Sequence, residues 1–185
     1  LLQFPETAMH ATLNSSTEDQ TRIDLRAAVA ALDAAEAAAD PAQLSQALAE
    51  VSRCHRAVGA LAEADWYAKR GLAVARTIGA VDASVDALCH LAELALERAE
   101  RLDEQDETRG AHRLRDAVRD HGYEAAQLAR HTADPQWEVT VLLRVADLFD
   151  RLGDHEDAIA LQCRAMGWMG GSDVLPSQCS MAKAA

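Results

Sequence analysis

The sequence predicts an all-α fold, an array of antiparallel helical hairpins (an α-solenoid) with about seven helices. Three observations predict it. A segment recurs, because Ala39-Asp40-Pro41 lies over Ala133-Asp134-Pro135, 94 residues later, and the two copies then run in step to Gly59 and Gly153. Apolar residues keep helical spacing, and most prolines and glycines fall between the periodic stretches. Composition agrees: hydrophobic residues make up 49%, much of it alanine, the best helix former, while aromatics are only 4%.

Within the recurring segment Leu48 falls on Leu142, Val51 on Val145 and Val58 on Leu152, with His55 opposite Phe149. Each copy opens with Asp then Pro. Asp is a good N-cap, and Pro at the first helical position loses no N–H that a helix would use. Each copy closes on Gly, which accepts the left-handed turn ending a helix. A second helix follows at once, over 60–77 and 154–169, so the unit is a helix-turn-helix.

Taken in order, residues 1–16 show no clear period and read as an irregular leader. Ser15 with Glu18, and Thr17 with Gln20, have capping-box spacing, and a first helix is expected over about 17–39 on the stripe Ile23, Leu25, Ala28, Val29, Leu32, Ala35 and Ala39. The second, about 41–58, starts at Asp40-Pro41 and carries Leu44, Leu48, Val51, His55 and Val58; the third, about 61–78, ends before Gly79. Asp82 is expected to cap a fourth helix over about 83–102, and 103–108 to form a charged break. The fifth is expected over about 109–132, with Gly122 as a potential kink, the sixth over about 136–151 and the seventh over about 155–168. Residues 170–185 read as a tail, which leaves 17–169 as the helical repeat domain. Ala75-Arg76-Thr77 recurs as Ala129-Arg130-His131, 54 residues on, so the middle unit is the longest and holds an insertion around Arg98–Ala117.

The formal net charge of −12 argues against a nucleic-acid partner, whose phosphates need Lys and Arg, and against docking on anionic lipid. No apolar run approaches the roughly 18 residues that would span a bilayer. Cys54, Cys89, Cys163 and Cys179 lack framework-like spacing and read as reduced thiols of a cytoplasmic protein.

At Leu152-Gly153-Asp154-His155-Glu156-Asp157-Ala158-Ile159, with Ala165 seven residues beyond Ala158, the chain resembles a tetratricopeptide repeat. The Ala-Arg helix endings and the forty-residue spacing are similar to the longer variant of that family found in bacterial regulators. Over about 39–169 the resemblance is closest in the third unit and weakest in the second. The family's small residue midway along the first helix is Ser52, Ala92 and Ala146 here, and its large aromatic before the turn survives as Phe149. The resemblance implies a right-handed array that binds a protein or peptide in a concave groove lined by the first helix of each pair. Carried onto this chain, the groove is Arg53 and Arg56 in the first unit, Cys89, Glu93 and Glu97 in the second, and Leu143, Asp147, Asp150 and Arg151 in the third, basic at one end and acidic towards the other. Arg53 and Arg56 do not reproduce the family's Lys-Asn-Arg clamp for a chaperone's C-terminal carboxylate. A peptide of mixed charge is the expected ligand, with a homodimer left open. The other functions such arrays suggest are a secretion-type chaperone and a small-molecule-binding regulator with a pocket between the fourth and fifth helices.

No catalytic residue, metal site or cofactor is expected. Cys54-His55 and Cys89-His90 are adjacent pairs whose side chains point about 100° apart on a helix, which suits core filling better than chelation. His112, His121 and His131 do not return to one face. Asp116 and Asp120, with Arg113, Arg115 and Arg119, have the spacing of surface ion pairs. Nucleophile-elbow, phosphate-loop and His-Glu-x-x-His motifs are absent from the sequence. Trp66, Trp137 and Trp168 are candidate interface anchors.

Overall fold

The computed structural model describes residues 6–132 and 134–169, and the structural statements below concern these. They form seven α-helices and no strand: α1 (Glu6–Ala38), α2 (Pro41–Ala57), α3 (Leu61–Thr77), α4 (Val81–Glu104), α5 (Thr108–Leu128), α6 (Pro135–Leu152) and α7 (His155–Met169). A 3-10 turn, Ala129–His131, lies between α5 and α6. The chain divides into two compact units, Leu1–Val74 and Ala75–Ala185, and the boundary falls near the end of α3. Residues 1–5, Ala133 of the recurring segment, the expected tail at 170–185 and the side chain of Trp168 lie outside the described residues.

The joints explain why α2, α3, α6 and α7 begin and end within one residue of expectation. At the two Asp-Pro starts, Asp40 Oδ1 accepts from the Ala42 and Gln43 N–H groups (2.9 and 3.3 Å), and Asp134 Oδ1 accepts from the Gln136 N–H (2.9 Å). At the ends, the backbone turns left-handed at Ala39 (φ 52°), Gly59 (77°), Gly79 (68°), Asp106 (60°) and Gly153 (85°). The chain then folds back on its own last turn: the Ala60 N–H donates to His55 O, Ala80 to Ala75 O, Glu107 to Leu102 O and Asp154 to Phe149 O, each at 2.9 Å. These bonds satisfy carbonyls that a helix end would otherwise leave open.

Four expectations are corrected. α1 begins at Glu6, so residues 6–16 are helical rather than an irregular leader, and Ser15 and Thr17 lie inside the helix. No Pro or Gly occurs between Pro5 and Pro41, so nothing in that polar stretch breaks a helix even though it lacks an apolar stripe. Asp82 is not the cap of α4; Ala80 holds that position, because the turn at Gly79 delivers the chain straight into the helix, and Asp82 sits in the first turn. The charged break shrinks to 105–107, since α4 continues to Glu104 and α5 starts at Thr108. Gly122 does not interrupt α5; it is buried, and a Cβ there would meet Phe149 Cε1 at 2.7 Å and Val145 Cγ1 at 3.1 Å. The glycine serves a close helix approach.

In the first unit, Ala28 and Leu32 of α1 pack with Leu48, Val51 and Cys54 of α2, flanked by Leu25, Leu44, Tyr67 and Val74. α2 meets α3 closely enough for the Ser52 hydroxyl to donate to Ala64 O (2.7 Å) and for Gly71 to lie against Leu48. His55 stacks on Tyr67 with ring centroids 5.2 Å apart. In the second unit, Ala92, Ala95 and Leu96 of α4 pack with Val118 of α5 and Leu148 of α6, and Ala126, Leu142 and Ala165 form a further cluster. Tyr123 meets Phe149 edge-on at 4.9 Å.

The two copies of the recurring segment occupy equivalent positions in their own cores. Leu48 and Leu142, and Val51 and Val145, are all 0% exposed, and Ala64 and Ala158 are 0% and 1% exposed in the following helices. The insertion of the middle unit goes into helix length, as α4 has 24 residues and α5 has 21 against 17 in each of α2 and α3. One ion pair, buried at its carboxylate end, ties three helices together. Arg164 of α7 donates to Glu138 of α6, which is 5% exposed, and to Ala126 O of α5 at 3.0 Å. Of the expected thiols, Cys54 and Cys89 are free and buried, and Cys179 lies outside the described residues. No described helix is long and apolar enough to cross a membrane.

Two stability effects follow. Gly122→Ala should destabilise by about 1 kcal/mol, the overpacking against Phe149 outweighing a gain in helix propensity of similar size; urea unfolding measures it, and an unchanged or higher midpoint would refute the close-approach role. Glu138→Ala should cost about 3 kcal/mol by leaving the Arg164 guanidinium without its carboxylate. In the same urea assay, the double variant Glu138→Leu/Arg164→Leu should recover most of that loss.

Candidate functional site

α4 is apolar on most of its circumference and therefore buried, with Leu88, Leu91, Ala92, Ala95 and Leu96 all at most 4% exposed. One polar stripe runs along it, Asp86, His90, Glu93, Glu97 and Glu100, at alternating steps of four and three. α6 answers with Arg144 and Arg151, seven residues apart, which reach Glu93 and Glu100, also seven apart. Arg144 Nε donates to Glu93 Oε1 at 2.6 Å and Arg151 Nη2 to Glu100 Oε1 at 2.9 Å. Equal spacing on both helices makes α4 and α6 parallel neighbours held by a two-rung ladder about 10 Å long. Arg144 Nη1 also donates to Asp86 Oδ1 at 3.0 Å.

The electrostatics of the ladder follow from burial. Desolvation works to lower the pKa of Arg144, but the hydrogen bond and charge of Glu93 outweigh it, and the guanidinium is held more firmly protonated than usual. Beside it, burial pushes the Cys89 thiol from an ordinary 9.0 up to about 12; Arg144 opposes the shift, while Asp86 and Glu93 add to it. Cys89 is accordingly a neutral side chain with low nucleophilic reactivity. His90 is 6% exposed, with Nδ1 3.9 Å from Glu93 Oε2. Among the described residues no three His, Cys, Asp or Glu side chains converge to hold a metal ion.

The nine expected groove residues separate into surface and interior. Leu143 is 42% exposed, and Asp147 lies one turn further along the same outward stripe of α6. Asp150 continues it and hydrogen-bonds His155 Nδ1 at 2.7 Å. Arg151 is exposed but engaged in the ladder. Glu93 is inside it, Glu97 is half-buried beside it, and Cys89 is fully buried, a core residue of α4 with no exposed atoms to offer a ligand. On α2, Arg53 is exposed and its guanidinium is held by Glu50 at 2.8 and 3.1 Å, so the basic character expected there is partly neutralised on its own helix. Arg56 is half-buried.

Arg144 is the residue that reading the sequence missed. Its signal was present as matched seven-residue spacings in two helices, but only the packing tells which acidic stripe faces which basic one. Between α4 and α5, the place of the pocket that a small-molecule-binding regulator would need, Ala92, Ala95, Leu96, Leu114, Ala117 and Val118 form an apolar seam. Trp66 on α3 is 56% exposed, set edge-on to Tyr67 at 4.8 Å with the Arg70 guanidinium 5.7 Å from its ring, whereas Trp137 is half-buried at the start of α6. Compared with known proteins, the chain matches no family model and no curated protein.

Cys89 gives a pH-dependent test. Because its folded pKa lies above the unfolded value, the stability it contributes is complete below about pH 9 and is lost as pH rises towards about 12. At about pH 8 the native chain should leave Cys89 unmodified by a disulfide thiol reagent, and unfolding should expose it. Peptide mapping that found Cys89 labelled in the native chain would contradict the burial.

Proposed function

We propose that this chain is a non-enzymatic interaction module, a TPR-like α-solenoid in which the outer faces of the first helix of each pair hold a protein or peptide. The observation that carries the proposal is the parallel α4–α6 ladder. It turns Arg144 and Arg151 inward to Glu93, Asp86 and Glu100, and leaves Leu143, Asp147 and Asp150 on the open side of α6. An apolar side chain followed by carboxylates at steps of four and three suits a helical or extended segment that places an apolar residue at one end of a cationic stripe. Charge then sets register and association rate more than affinity. In the first unit, the face carrying Arg53 and Arg56 with Glu50 offers a separate surface of mixed sign.

Capture from a lysate of the native host, read by quantitative mass spectrometry, tests the assignment. Wild type is compared with Leu143→Lys/Asp147→Lys on α6 and with Arg53→Glu/Arg56→Glu on α2. At least one pair should reduce recovery of a partner about tenfold, the effect of losing roughly 1.4 kcal/mol. Equal recovery by all three proteins would exclude both faces.

A further inference from the structure

Unit 1 contains a joint that differs from the others in its chemistry. Left-handed backbone ends five described helices, and at four of those positions the residue tolerates it: Gly59, Gly79, Gly153 and Asp106. At the fifth, between α1 and α2, the residue is Ala39 with φ 52°. Alanine has a Cβ that crowds the carbonyl in this conformation and no polar side chain to compensate. The next residue, Asp40, is already extended (φ −96°, ψ 107°), and Pro41 behind it disfavours any return to helix. One rotation at Ala39, into the ordinary negative-φ region, would straighten the whole link and relieve the strain.

What that link holds in place is an element whose described contacts could be made equally well by another copy. α1 docks through Ala28 and Leu32 on Leu48, Val51 and Cys54 of α2, and through Glu36, which accepts from Arg70 Nη2 of α3 at 2.6 Å. None of these requires the two partners to belong to one chain. We infer that α1 is an exchangeable arm, and that two copies of this protein form a dimer in which each lays its α1 on the α2–α3 pair of the other. The closed monomer is favoured by an effective concentration of about 1 mM across so short a link. Each dimer relieves two strained alanines, worth about tenfold apiece, which places the dimerisation constant at about ten micromolar. A short strained hinge is the feature that makes such exchange competitive.

Sedimentation equilibrium of the full chain, over about 1 µM to 1 mM, tests the inference against the variant Ala39→Gly. Glycine removes the strain without touching a docking residue, so its dimer should form about a hundredfold less readily. A second measurement identifies exchange itself. Glu36→Arg and Arg70→Glu each place like charges between α1 and α3, whereas mixing the two proteins restores opposite charges at both sites of an exchanged heterodimer and nowhere else. After equilibration at high concentration and low salt, native mass spectrometry should show the heterodimer a few-fold above its statistical share, the modest excess expected of exposed pairs. A chain that stays monomeric throughout, a dimer indifferent to Ala39→Gly, or purely statistical mixing would overturn it.

Discussion

Helices in this protein meet where one partner offers almost no side chain, and the rest of the structure is arranged around that closeness. The backbone of α3 comes near enough to α2 for Ser52 to bond the Ala64 carbonyl, and Gly71 lies against Leu48. In the second unit Gly122 lies against the Phe149 ring, and Ala158 and Ala165 bury the inner face of α7. Small residues on one helix leave room for large ones on its neighbour, which is where Leu48, Leu142 and Phe149 are found. An interior packed in this way gains many short-range dispersion contacts, and at Gly122 an added methyl would run into Phe149.

Close packing of the apolar sides leaves ionic groups at the edges of the helix pairs, and there the few cations are placed with economy. Arg144, Arg151 and Arg164 each reach an acid on a different helix, and Arg119 spans from α5 to Asp154 in the turn before α7 at 2.7 and 3.2 Å. Arginine suits this role because its fork can serve two acceptors at once, as Arg144 does with Glu93 and Asp86. In a chain carrying a net −12, pairing of this kind lowers repulsion among neighbouring acids while leaving acidic groups such as Asp147 outward. Fold stability and surface character therefore come from the same set of side chains.

Much of the helix pattern was legible because its signals are local. Asp-Pro at 40–41 and 134–135, and Gly at 59 and 153, act on the backbone within a few residues, so they mark the same boundaries in sequence and in structure. The misplaced start of α1 has the converse cause, since a polar segment without breakers can be helical with no apolar stripe to announce it. Reading Gly122 as a kink failed because a helical glycine signals equally a bend or a near neighbour, and the neighbour, Phe149, is 27 residues away. Of the groove residues, Leu143, Asp147, Asp150 and Arg53 are exposed, while Cys89 is buried, because periodicity gives a helix its faces without saying how many of them will be covered.

The all-helical class, the Asp-Pro and Gly joints of the two recurring hairpins and the recurrence itself are written in local signals, since each depends on backbone preferences and apolar period within about twenty residues. Packing between distant helices is what encloses α4 on most of its faces, commits Arg144 and Arg151 to Glu93 and Glu100, and sets Glu138 inside a three-helix latch. Those outcomes turn on which faces of distant helices come together, and burial and charge pairing between segments 26 to 58 residues apart have no local signature.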